Sequence, residues 1–350
     1  MKRMLVLGYY GFGNFGDELI LSAVQEELAS VDCEATFAVR QPTQYPSPAC
    51  ARHTLVDRQD TASMARALRT SDCVMLGGGG LVQDVTSWRS SVYYLGIPFL
   101  AGARRKSVVS YAQGIGPIGR RWTRQAVHAV FGRMALIDVR DNESRDLLIA
   151  CGVHGRDIHV SCDVGLSYLV TLHASLASQG PREPVITACV NQRFGWSAEQ
   201  TASFLDCLAS HFAARIVLVT LFPGADLEFT REVQQRLLSS SEVIVSPSVE
   251  VLLRLCDAAC MVVAGRYHMA AAGVASRSPM VALAYDPKVV HLADAVGFDV
   301  VAPGDLPEVA ARLVLGGSPR LVPEDTADRL VSLRIQRIQR LQMVLADLLQ

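Results

Sequence analysis

The sequence lacks an excess of charge of either sign: 33 Lys and Arg stand against 34 Asp and Glu, a formal net charge of −1. No bulk field therefore draws the chain to nucleic acid or to a membrane, and any recognition of anions must be local. It also lacks an apolar run approaching the roughly 20 residues that cross a bilayer. The start, MKRMLVLGYYGFG, joins a basic pair to a short apolar run, but it breaks at glycines and offers no small-residue cleavage site. A cytoplasmic protein is therefore expected. Nine cysteines stand singly, with no C-x-x-C and no alternation with His at ligand spacing. That argues against a disulfide framework and against a metal centre. Cys73, Cys189 and Cys260 lie in apolar runs, where a thiol acts as a small buried hydrophobe. Internal repeats and low-complexity tracts are missing as well.

What is present is a well-packed composition, 50% hydrophobic and 19% charged over 350 residues, enough for two ordinary doubly wound domains. In the front half, strand-like runs at Met4 to Leu7, Ala35 to Val39, Ser71 to Leu76, Lys106 to Tyr111 and Ala135 to Val139 end in glycine-rich or polar loops. A helix is expected over Glu18 to Ala29, and another from an Asn142 cap through Cys151. Composition shifts at 177–184, ASQGPREP, which reads as a surface crossing. A second alternation follows, with strands at Val185 to Val190, Arg215 to Leu221, Val243 to Val245, Cys260 to Ala264 and Met280 to Ala284. Helices are expected from near Ser197, Ala225, Val249, Tyr267 and Lys288. The expected fold is α/β: two Rossmann-like doubly wound domains, 1–178 and 184–322, facing a cleft. A C-terminal helix over 323–350 has leucines along one side and would serve as a support across the domains, a dimer element, or both, which leaves a homo-oligomer open.

Three glycine turns follow strands of the first domain. GYYGFGNFGDE contains Gly11, Gly13 and Gly16 at G-x-G-x-x-G spacing, with Asn14 among them. The pattern is that of a dinucleotide loop, in which backbone N–H groups and a helix start meet a phosphate. Tyr9, Tyr10, Phe12 and Phe15 crowd the turn and Asp17 would repel a phosphate, which points instead to an acceptor-side loop offering aromatic faces to a sugar. Glycines that merely let a helix pack on a strand are the third reading. LGGGGLVQDVTS carries Gly79, Gln83 and Asp84; Asp84 is either a general base toward a sugar hydroxyl or a brace for the turn. Gln113 to Gly116 forms the third turn. Together they imply a backbone-lined site at the C-terminal edge of the sheet.

The sharpest chemical signal lies in AGRYHMAAAG and ALAYDPKV. Arg266 and His268 leave a strand at the opening of a helix, and Lys288 occupies the equivalent edge one strand later. Such a cluster suits a small ligand with a carboxylate and a phosphate: Arg grips a carboxylate, Lys meets phosphate as a point charge, and His carries a proton at neutral pH. The plain alternatives are a structural histidine, an exposed Lys288 after Pro287, and Arg266 paired with Asp286. Arg140, ending a strand of the first domain, and Arg193, after the first strand of the second, are further candidates. Of the other histidines, His128 and His211 fall inside expected helices, His53, His173 and His291 have no constellation around them, and His154 and His159 flank a turn, so structural or surface roles are expected.

In combination, GYYGFGNFGDE, GGGGLVQD with the following TS, AQGIGP, RD with ES, and GRYH followed by YDPK resemble the polysaccharide pyruvyl transferase family. Within it the resemblance is to the cell-surface-anchoring type that modifies secondary cell wall polymers. The resemblance implies a fold similar to that of two-domain B-type glycosyltransferases. It implies phosphoenolpyruvate as donor, with no other cofactor, and a pyruvate ketal on a sugar as product. It further implies N-acetylmannosamine of a lipid-linked disaccharide as acceptor, reached by peripheral contact with the inner face of the membrane. The family's Arg-x-His donor motif falls on Arg266 and His268, its later lysine on Lys288, and its first-domain arginine on Arg140. In the expected chemistry His268 protonates C3 or partners the departing phosphate, Arg266 and Arg140 hold the carboxylate, Lys288 and Arg193 stabilise the phosphate, and Asp84 is the base toward the acceptor. Two other functions stay open: a nucleotide-sugar glycosyltransferase of the same shape, which should add a ribose-binding carboxylate, and a non-catalytic carbohydrate-binding protein, in which the Arg266, His268 and Lys288 set should have eroded.

Overall fold

Short apolar runs such as Cys73–Leu76 and Met280–Leu283 are buried at every position. Central strands of a parallel sheet, covered on both faces, need that pattern. The computed structural model describes residues 1–45, 50–85, 87–176, 180–284, 286–302 and 321–347. The expectations that fall on Thr86, on 177–179, on Tyr285 and on 348–350 lie outside the described residues.

The elements run β1 (Lys2–Tyr10), α1 (Phe15–Ala29), β2 (Cys33–Val39), β3 (His53–Asp57), α2 (Thr61–Thr70), β4 (Cys73–Leu76), β5 (Gly79–Val82), α3 (Trp88–Ala103), β6 (Ser107–Ile115), α4 (Arg121–Phe131), β7 (Leu136–Val139), α5 (Asn142–Ala150), β8 (Ile158–Val160) and α6 (Val164–Ser175). They continue with β9 (Glu183–Cys189), α7 (Ala198–Phe212), β10 (Arg215–Thr220), α8 (Pro223–Arg236), β11 (Ser241–Val245), α9 (Val249–Ala258), β12 (Ala259–Ala264), α10 (Tyr267–Ala275), β13 (Met280–Leu283), α11 (Pro287–Val296), β14 (Asp299–Val301) and a last helix, α12 (Thr326–Asp347). One sheet has the order β3-β2-β1-β4-β6-β7-β8, with β5 beside β6, and the other the order β11-β10-β9-β12-β13-β14. The pairings within both are parallel. Two Rossmann-like doubly wound sheets, as expected, carry the chain.

Contacts gather the chain into two units that are not contiguous in sequence. The first is Met1–Phe12, Asp17–Ser167 and Ser332–Gln350; the second is Gly13–Gly16 with Tyr168–Val331. A four-residue piece of the first glycine loop thus belongs with the second sheet. In the first unit the core packs Leu5, Leu7, Val74 and Leu76 against Leu95, Val127 and Phe131; in the second, Ile186, Leu218 and Val263 pack against Phe204, Leu205 and Val233.

Some local expectations shift. β1 runs on past Leu7 to Tyr10, which pairs with Val39 across an irregularity in the register. α1 starts at Phe15, ahead of the expected Glu18, and the Asn14 side chain accepts the Gly16 N–H at 3.3 Å. The cap of α5 is Asp141 in place of Asn142: its extended backbone aims the carboxylate at the Ser144 N–H, 2.8 Å away.

The largest surprise is α12. Leu330, Leu341 and Leu345 are buried as the spacing suggests, but so is Arg337, at 0% exposure. Its guanidinium donates to Glu27 (2.7 and 3.3 Å), the Cys162 carbonyl (2.9 Å) and the Ser167 hydroxyl (3.0 Å). Arg334 joins Glu26 and Glu27, Arg340 joins Asp138, and the Tyr111 hydroxyl donates to Glu27 at 2.5 Å. Burial pulls the Arg337 value down, but Glu27, Tyr111 and Cys162 together outweigh it and hold the guanidinium charged. A buried ion network of this kind holds only with every partner present.

Candidate functional site

Each sheet presents its loops at the C-terminal ends of its strands, where a doubly wound fold places ligands. The two edges are built differently.

In the first unit the glycines follow β1, separate β4 from β5 and end β6, which runs on through most of the expected Gln113 to Gly116 turn as far as Ile115. Gln113 is fully buried and its side-chain amide donates to the Gly79 carbonyl and to that of Gly114 (3.0 Å), tying the start of β5 to the end of β6. Gly114 leaves room for Arg140: an added Cβ would lie 2.6 Å from the guanidinium carbon, which would have to shift. Arg140 itself is held by Asp141 (2.9 Å) and by Asp163 (3.6 Å), with its side chain 9% exposed. Burial pushes the Asp141 carboxyl up, but the Arg140 charge and the Ser144 donors outweigh it and leave the value lowered. Asp163 also caps α6 by accepting the Gly165 N–H at 2.9 Å.

The G-x-G-x-x-G stretch does not offer its N–H groups to a pyrophosphate. The Gly11 N–H donates to Glu18 Oε1 at 2.8 Å, and the other Glu18 oxygen accepts the Tyr45 hydroxyl at 2.5 Å. An internal carboxylate therefore takes an N–H that a dinucleotide loop would present to phosphate. Around it stands a platform that sequence reasoning recognised only in its aromatic part. Tyr9 and Phe12 stack with centroids 4.0 Å apart, and the guanidinium carbons of Arg40 and Arg58 each lie 5.2 Å from the Phe12 ring. Arg58 is also 4.4 Å from the Tyr93 ring and donates to the Tyr94 hydroxyl at 2.9 Å. Arg40 and Arg58 directly follow β2 and β3, a strand-end position shared with Arg140, and that signal was available in the sequence.

Asp84 takes the bracing role. Its two oxygens accept the Gly119 N–H (2.8 Å) and the Arg120 N–H (2.9 Å), fixing the turn that opens α4. Burial would raise its carboxyl, but the Gly119 N–H, the Thr123 hydroxyl and the Arg120 N–H and charge together outweigh it and hold the value below the usual carboxylate range. A carboxylate so held is a weak base. The Gln83 side chain likewise serves its own turn, accepting the Val85 N–H at 3.1 Å. Because the folded value of Asp84 is depressed, its stabilisation is full above the ordinary carboxylate pKa and disappears as pH falls through the folded value. Asp84→Ala is therefore expected to lower stability at pH 7 by roughly 1.5–3 kcal/mol, with the gap from the parent chain narrowing below about pH 4. Urea unfolding at the two pH values measures both.

In the second unit, the ends of the neighbouring strands β10, β9, β12 and β13 carry Asp226, Asn191, Arg266 with His268, and Lys288. Arg266 pairs with Asp226 and not with Asp286. Its Nε lies 2.9 Å and its Nη2 2.5 Å from the two carboxylate oxygens, and Asp226 is 2% exposed. Asp286 instead caps α11, accepting the Lys288 N–H at 3.0 Å. Asp226 escaped sequence reasoning because an acid in the first turn of a helix is common, and its partner lies 40 residues on. Since Asp226 occupies the bidentate face of Arg266, the guanidinium is oriented before any substrate arrives. Asn191, 2% exposed, donates to the Gly265 carbonyl and accepts the Arg193 N–H at 2.7 Å; the Arg193 side chain stands exposed at the rim.

The decisive contact is made by the loop segment that clusters with this unit. The Phe15 N–H donates to the Leu221 carbonyl at 3.0 Å. The His268 ring lies directly over Gly16, so that an added Cβ would overlap Nδ1 and Cε1. Sequence reading set the glycine loop apart from the basic cluster as an acceptor-side element. The structure brings its last glycine against the imidazole, while Gly13 is exposed and has room for a side chain. All nine cysteines are free thiols. Among the described residues, no helix is long and apolar enough to cross a membrane, and no group of three or more His, Cys, Asp or Glu could hold a metal ion.

Two doubly wound parallel sheets with ligand loops at their strand ends define a GT-B-like fold, and solved structures agree. The UDP-GlcNAc 2-epimerase of Methanocaldococcus jannaschii is similar at TM-score 0.60 and 12% identity, over 97% of this chain and 99% of that one. That of Neisseria meningitidis, bound to UDP-GlcNAc, is similar at TM-score 0.61 and 11% identity, over 98% and 100%. AviGT4, a glycosyltransferase of avilamycin A biosynthesis, is similar at TM-score 0.53 and 15% identity, over 99% and 97%. Identities this low speak for the fold alone. No curated protein matches the sequence. The profile of the polysaccharide pyruvyl transferase family matches residues 14–287, and the chain belongs to that family. It is thus an enzyme that transfers a pyruvyl group from phosphoenolpyruvate to a sugar.

Proposed function

We propose that this enzyme is of the cell-surface-anchoring type and forms a pyruvate ketal on N-acetylmannosamine of a lipid-linked cell wall precursor, working in the cytoplasm at the inner face of the membrane. The observation that carries the donor side is the His268 imidazole seated on Gly16, two residues from an Arg266 already oriented by Asp226. In this reading the protonated His268 gives its proton to C3 of phosphoenolpyruvate, and C2 takes on oxocarbenium character. Arg266 meets the carboxylate, while Lys288, in the first turn of α11, and Arg193 at the rim meet the phosphate. One sugar hydroxyl adds to C2, phosphate leaves, and a second hydroxyl closes the ring. The two hydroxyl protons end on phosphate and on the histidine, so one phosphate is released per ketal.

The acceptor reading is supported by the Tyr9, Phe12 and Tyr93 rings with Arg40 and Arg58, since flat aromatic faces suit a sugar ring and guanidinium groups suit a diphosphate. Gly11, Gly79 and Gln113 line the neighbouring strand ends. Asp84 is not used as base here, because its oxygens are committed to the α4 turn.

The test is incubation with phosphoenolpyruvate and a lipid-linked disaccharide ending in N-acetylmannosamine, followed by mass analysis. The expected product gains one pyruvate and loses one water. His268→Ala should lower turnover about 100-fold at saturating donor. An unmodified sugar, or a His268→Ala variant of full turnover, would refute the acceptor and the histidine role respectively.

A further inference from the structure

Between Val85 and Ile137 the chain carries eight Arg or Lys and no Asp or Glu, in a protein whose overall balance is −1. The same stretch holds a disproportionate share of the large apolar side chains left in water. Val85 is 61% exposed, Trp88 49%, Val92 50%, Phe99 47%, Leu100 46% and Trp122 39%. On α3, Trp88, Val92 and Phe99 stand at i, i+4 and i+11, which puts them on one face of the helix. The face that packs inward is a different one, made by Ser91, Tyr94, Leu95, Pro98 and Ala101. α3 is therefore apolar on two sides, and only one of them is covered within its unit.

The cations flank this face. Arg89 follows Trp88, and Arg104 and Arg105 close the far end of α3, all of them exposed. Arg120 and Arg121 are exposed at the opening of α4, beside Trp122. That turn is the one pinned by Asp84, so its orientation is fixed by two backbone hydrogen bonds. Topology adds a direction. β5 leads into α3 and the loop after β6 leads into α4, so Trp88, Arg120 and Trp122 lie toward the strand edge that carries the glycine turns.

We propose that the outer face of α3, with the opening of α4, is a docking surface for a bilayer containing anionic phospholipid. Charge complementarity selects the occupant. A segment with several arginines, no acid of its own, and aromatic and aliphatic side chains between them matches a plane of negative headgroups over hydrocarbon. Trp88 and Trp122 suit the headgroup boundary, where an amphipathic ring is most stable, and Val92 and Phe99 reach the acyl region. In this arrangement α3 lies in the plane of the interface and does not cross the bilayer. This deepens the reading of a lipid-linked acceptor, because the enzyme would meet its substrate in the plane where that lipid resides. Vesicle binding needs no acceptor, however, so either idea can fail alone.

The experiment uses the full chain and vesicles of phosphatidylcholine, with and without about one third phosphatidylglycerol. Flotation should recover the protein with the anionic vesicles at low salt, at least tenfold more than with neutral ones, and rising salt should weaken the binding. The chain has three tryptophans, and Trp196 is buried at 5% exposure, so brominated lipid should quench the emission of the other two. Val92→Glu with Phe99→Glu should lower vesicle partition about tenfold or more, and Arg121→Glu should lower it on anionic vesicles, with thermal unfolding unchanged in both. Both variants keep the glycine turns and the basic cluster intact, so phosphoenolpyruvate affinity should not change. Equal recovery with neutral and anionic vesicles, or no recovery with either, overturns the proposal. So does a concentration-dependent dimer that the Val92→Glu, Phe99→Glu variant dissociates while vesicle binding is absent, which would give the face to a second copy of the chain.

Discussion

Gly16→Ala is expected to lower turnover about 100-fold while leaving phosphoenolpyruvate affinity close to that of the parent enzyme. The added methyl group falls on the His268 imidazole, and the ring must swing away to admit it. A proton donor displaced by about 1 Å loses on the order of 100-fold in rate, because the reacting atoms no longer meet in line. Arg266 and Lys288 are untouched by the change, and they carry the donor's charges in the proposed reading. Gly16 is the second residue of α1, where Ala is the better helix former by about 1 kcal/mol. Loss of activity without loss of stability would therefore isolate the steric effect on the ring. Single-turnover kinetics at saturating donor, calorimetric titration with phosphoenolpyruvate and thermal unfolding separate the three quantities. Full turnover in a folded variant would show that the position of His268 does not matter to the reaction.

Arg337→Met is expected to destabilise the first unit by about 3–5 kcal/mol, enough to lower its unfolding temperature by about 10 °C. The methionine fills much of the space, so the loss arises from charge. Glu27, itself fully buried, keeps only Arg334 and the Tyr111 hydroxyl, while the Ser167 hydroxyl and the Cys162 carbonyl lose their donor. Adding Glu27→Met to the same variant should recover a large part of the stability, because the uncompensated buried carboxylate is gone. Calorimetric unfolding of the single and double variants tests both statements. A double variant less stable than the Arg337→Met chain would show that Glu27 contributes by its hydrogen bonds rather than as the counter-charge.

The parallel sheets were legible because strands covered on both faces must be apolar throughout, as CVML and MVAL are. The turns were legible because strand ends that carry ligand loops collect glycine. What escaped were contacts between residues far apart in sequence. Asp226 looks like an ordinary first-turn acid until Arg266 arrives beside it. Glu18 looks like the start of an amphipathic helix, yet its carboxylate closes the very N–H that makes G-x-G-x-x-G suggestive of a dinucleotide. Arg334, Arg337 and Arg340 recur every third residue, which reads as a solvated basic stripe, and periodicity cannot reveal that Glu27 and Asp138 lie underneath. His268 and the glycine loop were each singled out, but a motif has no information about which distant motif it will touch.

The pairing of Glu27 with Arg337 also sets a clock on biosynthesis. The two are separated by 310 positions, so a ribosome adding about 5–20 residues per second completes α12 roughly 15–60 s after it has made α1. From the completion of β8 onward the nascent first sheet has its strands, but the Glu27 carboxylate on α1 has no Arg337 to meet it. Until the last helix is released, the place that Arg337 fills beside Glu27 stays open. A message that stalls late would leave a protein nearly full in length whose oldest part had never closed.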